Sequence, residues 1–407
     1  MTAHTTSRPT APTFPWVGLL TLAVAVFLSI TIEMLPMGLL PDISQELGVS
    51  EPQVGLLVSV FAFTVVITSA PLMALTRRLP RQPLLVGVLV ILAFSSVLTA
   101  IAPSYEFMVA TRVLGGAAHG LFWSIVGAYA GHLVPKEQLA RAVAITTAGG
   151  SLAFVLGVPL GTALGHAFGW RIAFAGIAAL TLIGALLVWW LLPGVQHRHA
   201  PAEGTEHVSV RRDPTLVAVI VVCVITGVVM IGQYAVYTYI APYLIDVVGA
   251  DAAQVGPLLF GYGIAGAVGL LLAGTVLGRR PTLGLLIAFA GVGIGVAALA
   301  AFSAVPVLAI GAFFFWGIAF GALPPLLNTR LLHSASARIR DAAAAFYTTA
   351  FNLGIGGGAL LGAALYNTIG LQALPWVFVG ILVLSFLIVV ITARRPHVHP
   401  HEHPHAG

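Results

Sequence analysis

The sequence predicts an all-α membrane protein of twelve transmembrane helices, arranged as two six-helix halves related by a pseudo-twofold axis along the membrane normal. Three observations lead there. The 407 residues are 59% hydrophobic and only 8% charged, with a mean hydropathy of +1.02, where a soluble chain would be about 25% charged. Basic and acidic residues fall in alternate breaks between apolar runs. The chain also matches itself at a constant offset of 201 residues.

Long uncharged runs place the spans at 16–40, 53–76, 83–102, 106–131, 142–167, 170–192, 214–240, 255–278, 282–303, 305–331, 342–366 and 373–393. Each should be helical, because lipid offers backbone groups no partner outside the segment. The first run is too long for a signal-peptide core and no small-residue cleavage site follows it, so it should remain as an anchor.

Charge then sets orientation. Arg112 lies inside a span and Arg171 at an outer end. Every other Lys and Arg falls on one side: Arg8, the Arg77, Arg78 and Arg81 group, Lys136, Arg141, Arg198, Arg211, Arg212, Arg279, Arg280, Arg330, Arg338, Arg340, Arg394 and Arg395. That side is expected to be cytoplasmic, with both termini there. The opposite loops carry Asp42, Glu46, Glu51, Glu106, Asp246 and Asp251. The basic balance therefore reports topology and implies no nucleic acid. The one cysteine, Cys223, lies within a span, so no intrachain disulfide can form.

The repeat pairs Pro41 with Pro242, Gln53-Val54-Gly55 with Gln254-Val255-Gly256, Arg78 with Arg279, Gly116 and Gly120 with Gly317 and Gly321, and Gly157, Gly161 and Gly169 with Gly358, Gly362 and Gly370. An even number of spans per unit gives both halves the same orientation. The resulting units are a tail at 1–15, a first half at 16–192, a polar linker at 193–213, a second half at 214–393 and a His-rich tail at 394–407. Residues 1–15 and the linker are too polar to pack. The alternating His397 to His405 could take a metal, but the intervening prolines argue against a fixed cage, so no metal and no cofactor is expected.

Glu33 is the only acid deep in an apolar segment. A charge there costs about 2.5 to 3.5 kcal/mol on insertion scales, so it should face protein or water and serve a use, here carrying a proton. At 100° per residue, Arg112, Gly116, His119 and Trp123 form one stripe of the fourth span. Arg112 could instead pair with an acid or snorkel, and His119 could be a satisfied core residue. In the seventh span Thr226, Met230, Gln233 and Tyr237 share a stripe, with Tyr234 equally deep; Tyr239 and Tyr243, nearer the end, are expected as interface anchors. Asn328, Thr348 and Asn352 are further intramembrane polar candidates, whereas Trp316 and Phe313-Phe314-Phe315 read as packing.

Three stretches resemble the major facilitator superfamily. Pro71 to Arg81, with Arg77, Arg78 and Arg81, resembles its G-x-x-x-D-R-x-G-R-R loop, although Pro71 stands at the first Gly and the Asp is absent, so the charge relay of that Asp is not implied. Arg112 to Trp123 resembles the fourth-helix pattern R-x-x-q-G-x-g, whose Arg is implicated in proton coupling. Gly149 to Thr162 resembles the antiporter motif g-x-x-x-G-P-x-x-G-G, with Val158 between Gly157 and Pro159, and Gly161 after them. In the family that motif goes with exporters.

With Glu33 to Ile43, Ala118 to Ser124 and Tyr237 to Leu244, the chain from Trp16 to Arg395 is similar to bacterial drug:proton antiporters, and most resembles the sugar-efflux and arabinose-exporter branch. The resemblance implies a monomer in the lipid bilayer that exchanges protons for a small-molecule substrate by alternating access. Glu33, Arg112 and His119 would serve proton coupling, and Trp123, Gln233, Tyr234, Tyr237, Asn328 and Asn352 the substrate. Gly157, Pro159 and Gly161, with Arg77, Arg78 and Arg81, would serve the conformational change.

Other classes fare worse. No H-E-x-x-H, G-x-S-x-G or paired intramembrane carboxylates are present for an enzyme. A sensing receptor would append a soluble domain, and the tails are only 1–15 and 394–407. An importer or passive facilitator of the same fold remains the alternative, because fold does not fix direction.

Overall fold

A computed structural model describes residues 14–194, 213–336 and 338–393. Residues 1–13 of the expected first tail, including Arg8, the His-rich tail and most of the linker lie outside the described residues, whereas Phe14, at the end of the first tail, packs against Trp16 and under Arg141. Twelve helices among those described are long and apolar enough to cross a membrane.

The first half comprises α1 (Trp16–Gly38), the short α2 (Leu40–Leu47), α3 (Glu51–Thr76), α4 (Arg81–Ala100), α5 (Tyr105–Leu133), α6 (Leu139–Leu152), a π-helical segment (Ala153–Gly157), α7 (Val158–Phe168) and α8 (Trp170–Leu191). The second comprises α9 (Leu216–Tyr237), the single turn α10 (Ile240–Pro242), a π-helical segment (Tyr243–Val247), α11 (Ala252–Thr275), α12 (Pro281–Ala301), α13 (Pro306–Ser334), α14 (Arg340–Ile369) and α15 (Leu374–Ala393).

The repeat is structural. Helix starts at Tyr105 and Pro306, and ends at Leu133 and Ser334, stand 201 residues apart. Among the described residues, the four glycines with positive φ, a conformation costly for any residue with a Cβ, form two pairs at the same offset: Gly48 with Gly249 and Gly169 with Gly370. Even the capping boxes correspond, with Ser50 and Gln53 opening α3 and Asp251 and Gln254 opening α11.

Three expectations are corrected. The first span does not run unbroken to residue 40; it ends at Gly38, and Leu40 begins the separate α2, with Pro41 in its first turn. The fifth span is interrupted by the π-helical segment. Pro159 has no N–H for the carbonyl of Val155, and the wider turn just before α7 absorbs that vacancy. Tyr239 and Tyr243 are not interface anchors: both are fully buried. The Tyr239 hydroxyl donates to the Ala359 carbonyl at 2.8 Å, and its ring closes over Gly55 of the first half.

At the end of the linker, Asp213 accepts from Thr215 and from Ser336 Oγ. Those bonds hold its carboxyl below the usual range. This last residue of the expected linker is thus packed against the α13–α14 connection.

The halves meet along two seams. In one, α3 packs on α14, where Ser59 Oγ donates to the Gly356 carbonyl at 2.8 Å. In the other, α11 packs on α7 and the π-helical segment before it, with Gly263 against the backbone of Phe154 and Val155. At the acidic end the seam is latched by Tyr366, whose hydroxyl donates to Glu51 Oε2 at 2.7 Å.

Candidate functional site

Between the halves lies a cavity of about 550 Å³. Its lining begins at mid-depth with Glu33, Tyr234 and Tyr262 and runs toward the basic end, to Val143, Leu270, Asn328 and Tyr347. Tyr239 over Gly55 and the Tyr366 to Glu51 bond close the acidic end.

The wall from the first half is built on α1 and α5. His119 and Trp123 are four residues apart on α5, so the indole sits one turn beyond the imidazole on the same face. Trp123 Nε1 donates to His119 Nε2 at 2.8 Å. An indole N–H can only donate, which makes Nε2 an acceptor and leaves Nδ1 to donate to Ser29 Oγ, 2.8 Å away. Glu33 Oε2 stands 3.3 Å from the same Nε2. Its other oxygen, Oε1, is buried without a hydrogen-bond partner. One carboxyl, one imidazole lone pair and one indole donor thus converge at a point on the cavity wall.

Arg112 is 2% exposed and does not line the cavity. The reason is Pro36. A proline four residues after Ile32 cannot return an N–H to its carbonyl; the guanidinium supplies that missing donor from NH1 to Ile32 O at 3.1 Å and adds a second bond from NH2 to Glu33 O at 2.8 Å. The guanidinium also lies 4.2 Å above the Phe61 ring. Its Nε is buried without a partner. Arg112 therefore grips the bend in the helix that carries Glu33, and neither snorkels nor forms an ion pair with the carboxylate.

The facing wall, from the second half, is aromatic. Tyr234, Tyr237 and Tyr262 line it, the last two with ring centroids 5.1 Å apart. Gln233 is 1% exposed and bridges two rings: Trp316 Nε1 donates to its Oε1 at 3.0 Å, and its Nε2 donates to the Tyr262 hydroxyl at 3.2 Å. Trp123, Gln233, Tyr234, Tyr237, Asn328 and Asn352 all reach the cavity with Glu33 and His119, as does Thr348, and among the described residues no Arg or Lys joins them. Trp316 and Phe313 are fully buried packing groups.

Of the residues expected to serve conformational change, Gly157 and Gly161 abut Thr31 and Leu35 of α1, and Pro159 is buried beside them. Arg77 and Arg78 are exposed at the end of α3, while Arg81 is buried with NH1 3.6 Å from Met73 Sδ.

Sequence reasoning missed Ser29 and Tyr262. Ser29 gave no signal beyond sitting one helical turn before Glu33. Tyr262 could have been found, as an aromatic hydroxyl within a span at a depth comparable to Tyr234.

A bundle of two like-oriented six-helix halves around a central cavity, sealed at one end, defines a membrane transporter. The chain belongs to the Major Facilitator Superfamily, matching it over residues 22–356 and again over 222–407. It is 35% identical over 374 residues to a chloramphenicol efflux pump of Mycobacterium tuberculosis strain CDC 1551, covering 90% of this chain and 89% of that protein. It is 31% identical over 356 residues, 88% of each chain, to a protein of Mannheimia succiniciproducens described as a probable sugar efflux transporter. The crystal structure of a bacterial homologue of the human lysosomal transporter Spinster, inward-facing and unoccupied, shares the fold with a TM-score of 0.78 at 17% identity, over 95% of this chain and 98% of the other. Proteins of this superfamily are transporters and not enzymes, and this multi-pass membrane protein moves a small organic solute across the bilayer.

Proposed function

We propose that the protein is a proton-coupled exporter of the bacterial drug:proton antiporter type, residing in the inner membrane with its basic end cytoplasmic. The observation that carries this reading is the Glu33, His119 and Trp123 cluster on the wall of a cavity that, among the described residues, no Arg or Lys lines. The positive-inside rule assigns the basic end to the cytoplasm, and in this reading the cavity faces the side where an exporter collects its solute.

The Trp123 N–H occupies the imidazole lone pair, which leaves the exchangeable proton to Glu33. A solute entering the cavity competes for Glu33, and release of its proton to the cytoplasm commits the site to solute. After the halves rock and the cavity opens on the acidic side, Glu33 takes a proton from outside and the solute leaves. A wall of tyrosines opposite one carboxyl suits neutral or cationic aromatic solutes and disfavours anions. The likeness to a chloramphenicol efflux pump supports an aromatic solute.

The direct test is uptake of labelled chloramphenicol into energised inverted vesicles. Accumulation that collapses on adding a protonophore is expected. Uptake indifferent to the gradient would mean a passive facilitator, and outward movement under the gradient would mean an importer.

Labour is divided between the halves. The residue 201 positions after Glu33 is Tyr234, and the one after Arg112 is Phe313, so the second half repeats the geometry without the charge. Tyr234→Ala is expected to weaken chloramphenicol binding roughly tenfold through lost ring contact while the pH dependence of transport keeps its midpoint. Wild-type affinity combined with a displaced pH profile would contradict this assignment.

A further inference from the structure

We propose that Tyr262 is the directed hydrogen-bond donor of the substrate cavity, aimed by Gln233 and Trp316, and that it selects aromatic solutes carrying an acceptor oxygen such as a carbonyl or nitro group. This rests on the aromatic-solute reading above and goes beyond it by assigning a specificity determinant.

The argument follows from which groups can donate. The Trp316 indole N–H has no acceptor role, so its 3.0 Å contact fixes the Gln233 amide with Oε1 toward the indole. Gln233 Nε2 is then the atom that faces the Tyr262 hydroxyl at 3.2 Å. An amide NH₂ can only donate, so it takes a lone pair of the phenol oxygen. The phenol hydrogen cannot point back along that bond, and no acceptor for it is found among the described residues. Tyr262 lines the cavity, which leaves the solute as the partner.

The donor is also held still. The Tyr262 ring stacks on Phe313 with centroids 4.6 Å apart and an interplanar angle of 22°, and meets the edge of Trp316 at 5.4 Å. Trp316 is fully buried, Gln233 is 1% exposed and Tyr262 is 6% exposed. A solute with an acceptor replaces the hydroxyl's water with a bond at a preorganised group, whereas one without displaces that water and leaves the hydroxyl unpaired. The first half has no such chain: 201 residues earlier stand Ile32, Phe61 and Gly115, with neither amide, hydroxyl nor indole.

The test compares two probes on the purified full-length protein: chloramphenicol, which bears nitro and amide oxygens, and N-phenyl-1-naphthylamine, a flat aromatic amine with no acceptor oxygen. Dissociation constants are measured for wild type, Tyr262→Phe and Trp316→Phe, with thermal unfolding as the check on folding. Tyr262→Phe is expected to narrow the preference for chloramphenicol roughly tenfold, by weakening chloramphenicol alone. Trp316→Phe should narrow it in the same direction, because the freed Gln233 amide can turn its oxygen toward Tyr262 and claim the phenol hydrogen. An unchanged preference in Tyr262→Phe would overturn the proposal even if both probes bind more weakly, since loss of packing does not discriminate between them. Failure of the wild type to bind either probe would overturn the aromatic-solute reading and this proposal together. Wild-type binding with an unchanged preference overturns the proposal alone.

Discussion

Glu33→Gln is expected to insert and fold, to bind chloramphenicol more weakly and with an affinity that no longer varies with pH because the neutral amide resembles the protonated carboxyl, and to lose efflux driven by a pH gradient down to the level of empty vesicles. The amide keeps the volume of the carboxyl and can occupy the same place beside His119 Nε2, which Glu33 Oε2 now approaches at 3.3 Å. What it cannot do is release a proton. Solute–solute counterflow needs only that the loaded site alternate between the two sides, so counterflow should persist in this variant. Full gradient-driven accumulation by Glu33→Gln would place the coupling proton elsewhere.

The second large effect is expected at Gly157. A Cβ built there collides with Thr31 Oγ1 and would also come within 3.1 Å of the Thr31 Cβ, two residues before Glu33 on α1. Neighbouring glycines face the same helix: Gly161 meets Leu35, and Gly149 meets the carbonyl of Ala23. Small residues here let α1 lie directly against α6 and α7. Gly157→Leu should cost about 1 to 3 kcal/mol of stability by overpacking, visible as a lower unfolding temperature in detergent. It should also abolish efflux while insertion is retained, because the displaced helix is the one that carries the coupling carboxyl. Pro159→Leu should act in the same direction and more weakly, since it returns an N–H to the Val155 carbonyl and removes the reason for the π-helical turn. Normal efflux from well-expressed Gly157→Leu would show that the α1–α7 contact is slack during transport.

Much of the architecture was legible because bilayer physics writes it in plain chemistry. Apolar runs mark helices, arginines mark one end, and the offset that pairs Gly169 with Gly370 is now seen as paired positive-φ glycines, a correspondence that Gly48 and Gly249 repeat. The cavity residues were readable for a related reason: a polar group such as Glu33, Gln233 or Asn352 inside a span must face protein or water. Partners across helices were not readable. Nothing in the sequence says that Pro36 hands the Ile32 carbonyl to Arg112, because that contact joins residues eighty positions apart. Tyr239 looked like an interface anchor because position along a span gives depth but not rotation toward the other half. Ser29 was invisible, since a serine one turn from Glu33 has many satisfactory places to put its hydroxyl.

The claim at the centre of this account is that solute and proton compete at Glu33 within one cavity, and proton release on binding tests it most directly. Chloramphenicol is added to purified protein in weakly buffered detergent solution near neutral pH, and a soluble pH indicator reports protons released. The account predicts acidification with the wild type that saturates along with binding, and none with Glu33→Gln although that variant still binds. Equal proton release by both proteins, or binding by the wild type without any release, would contradict it.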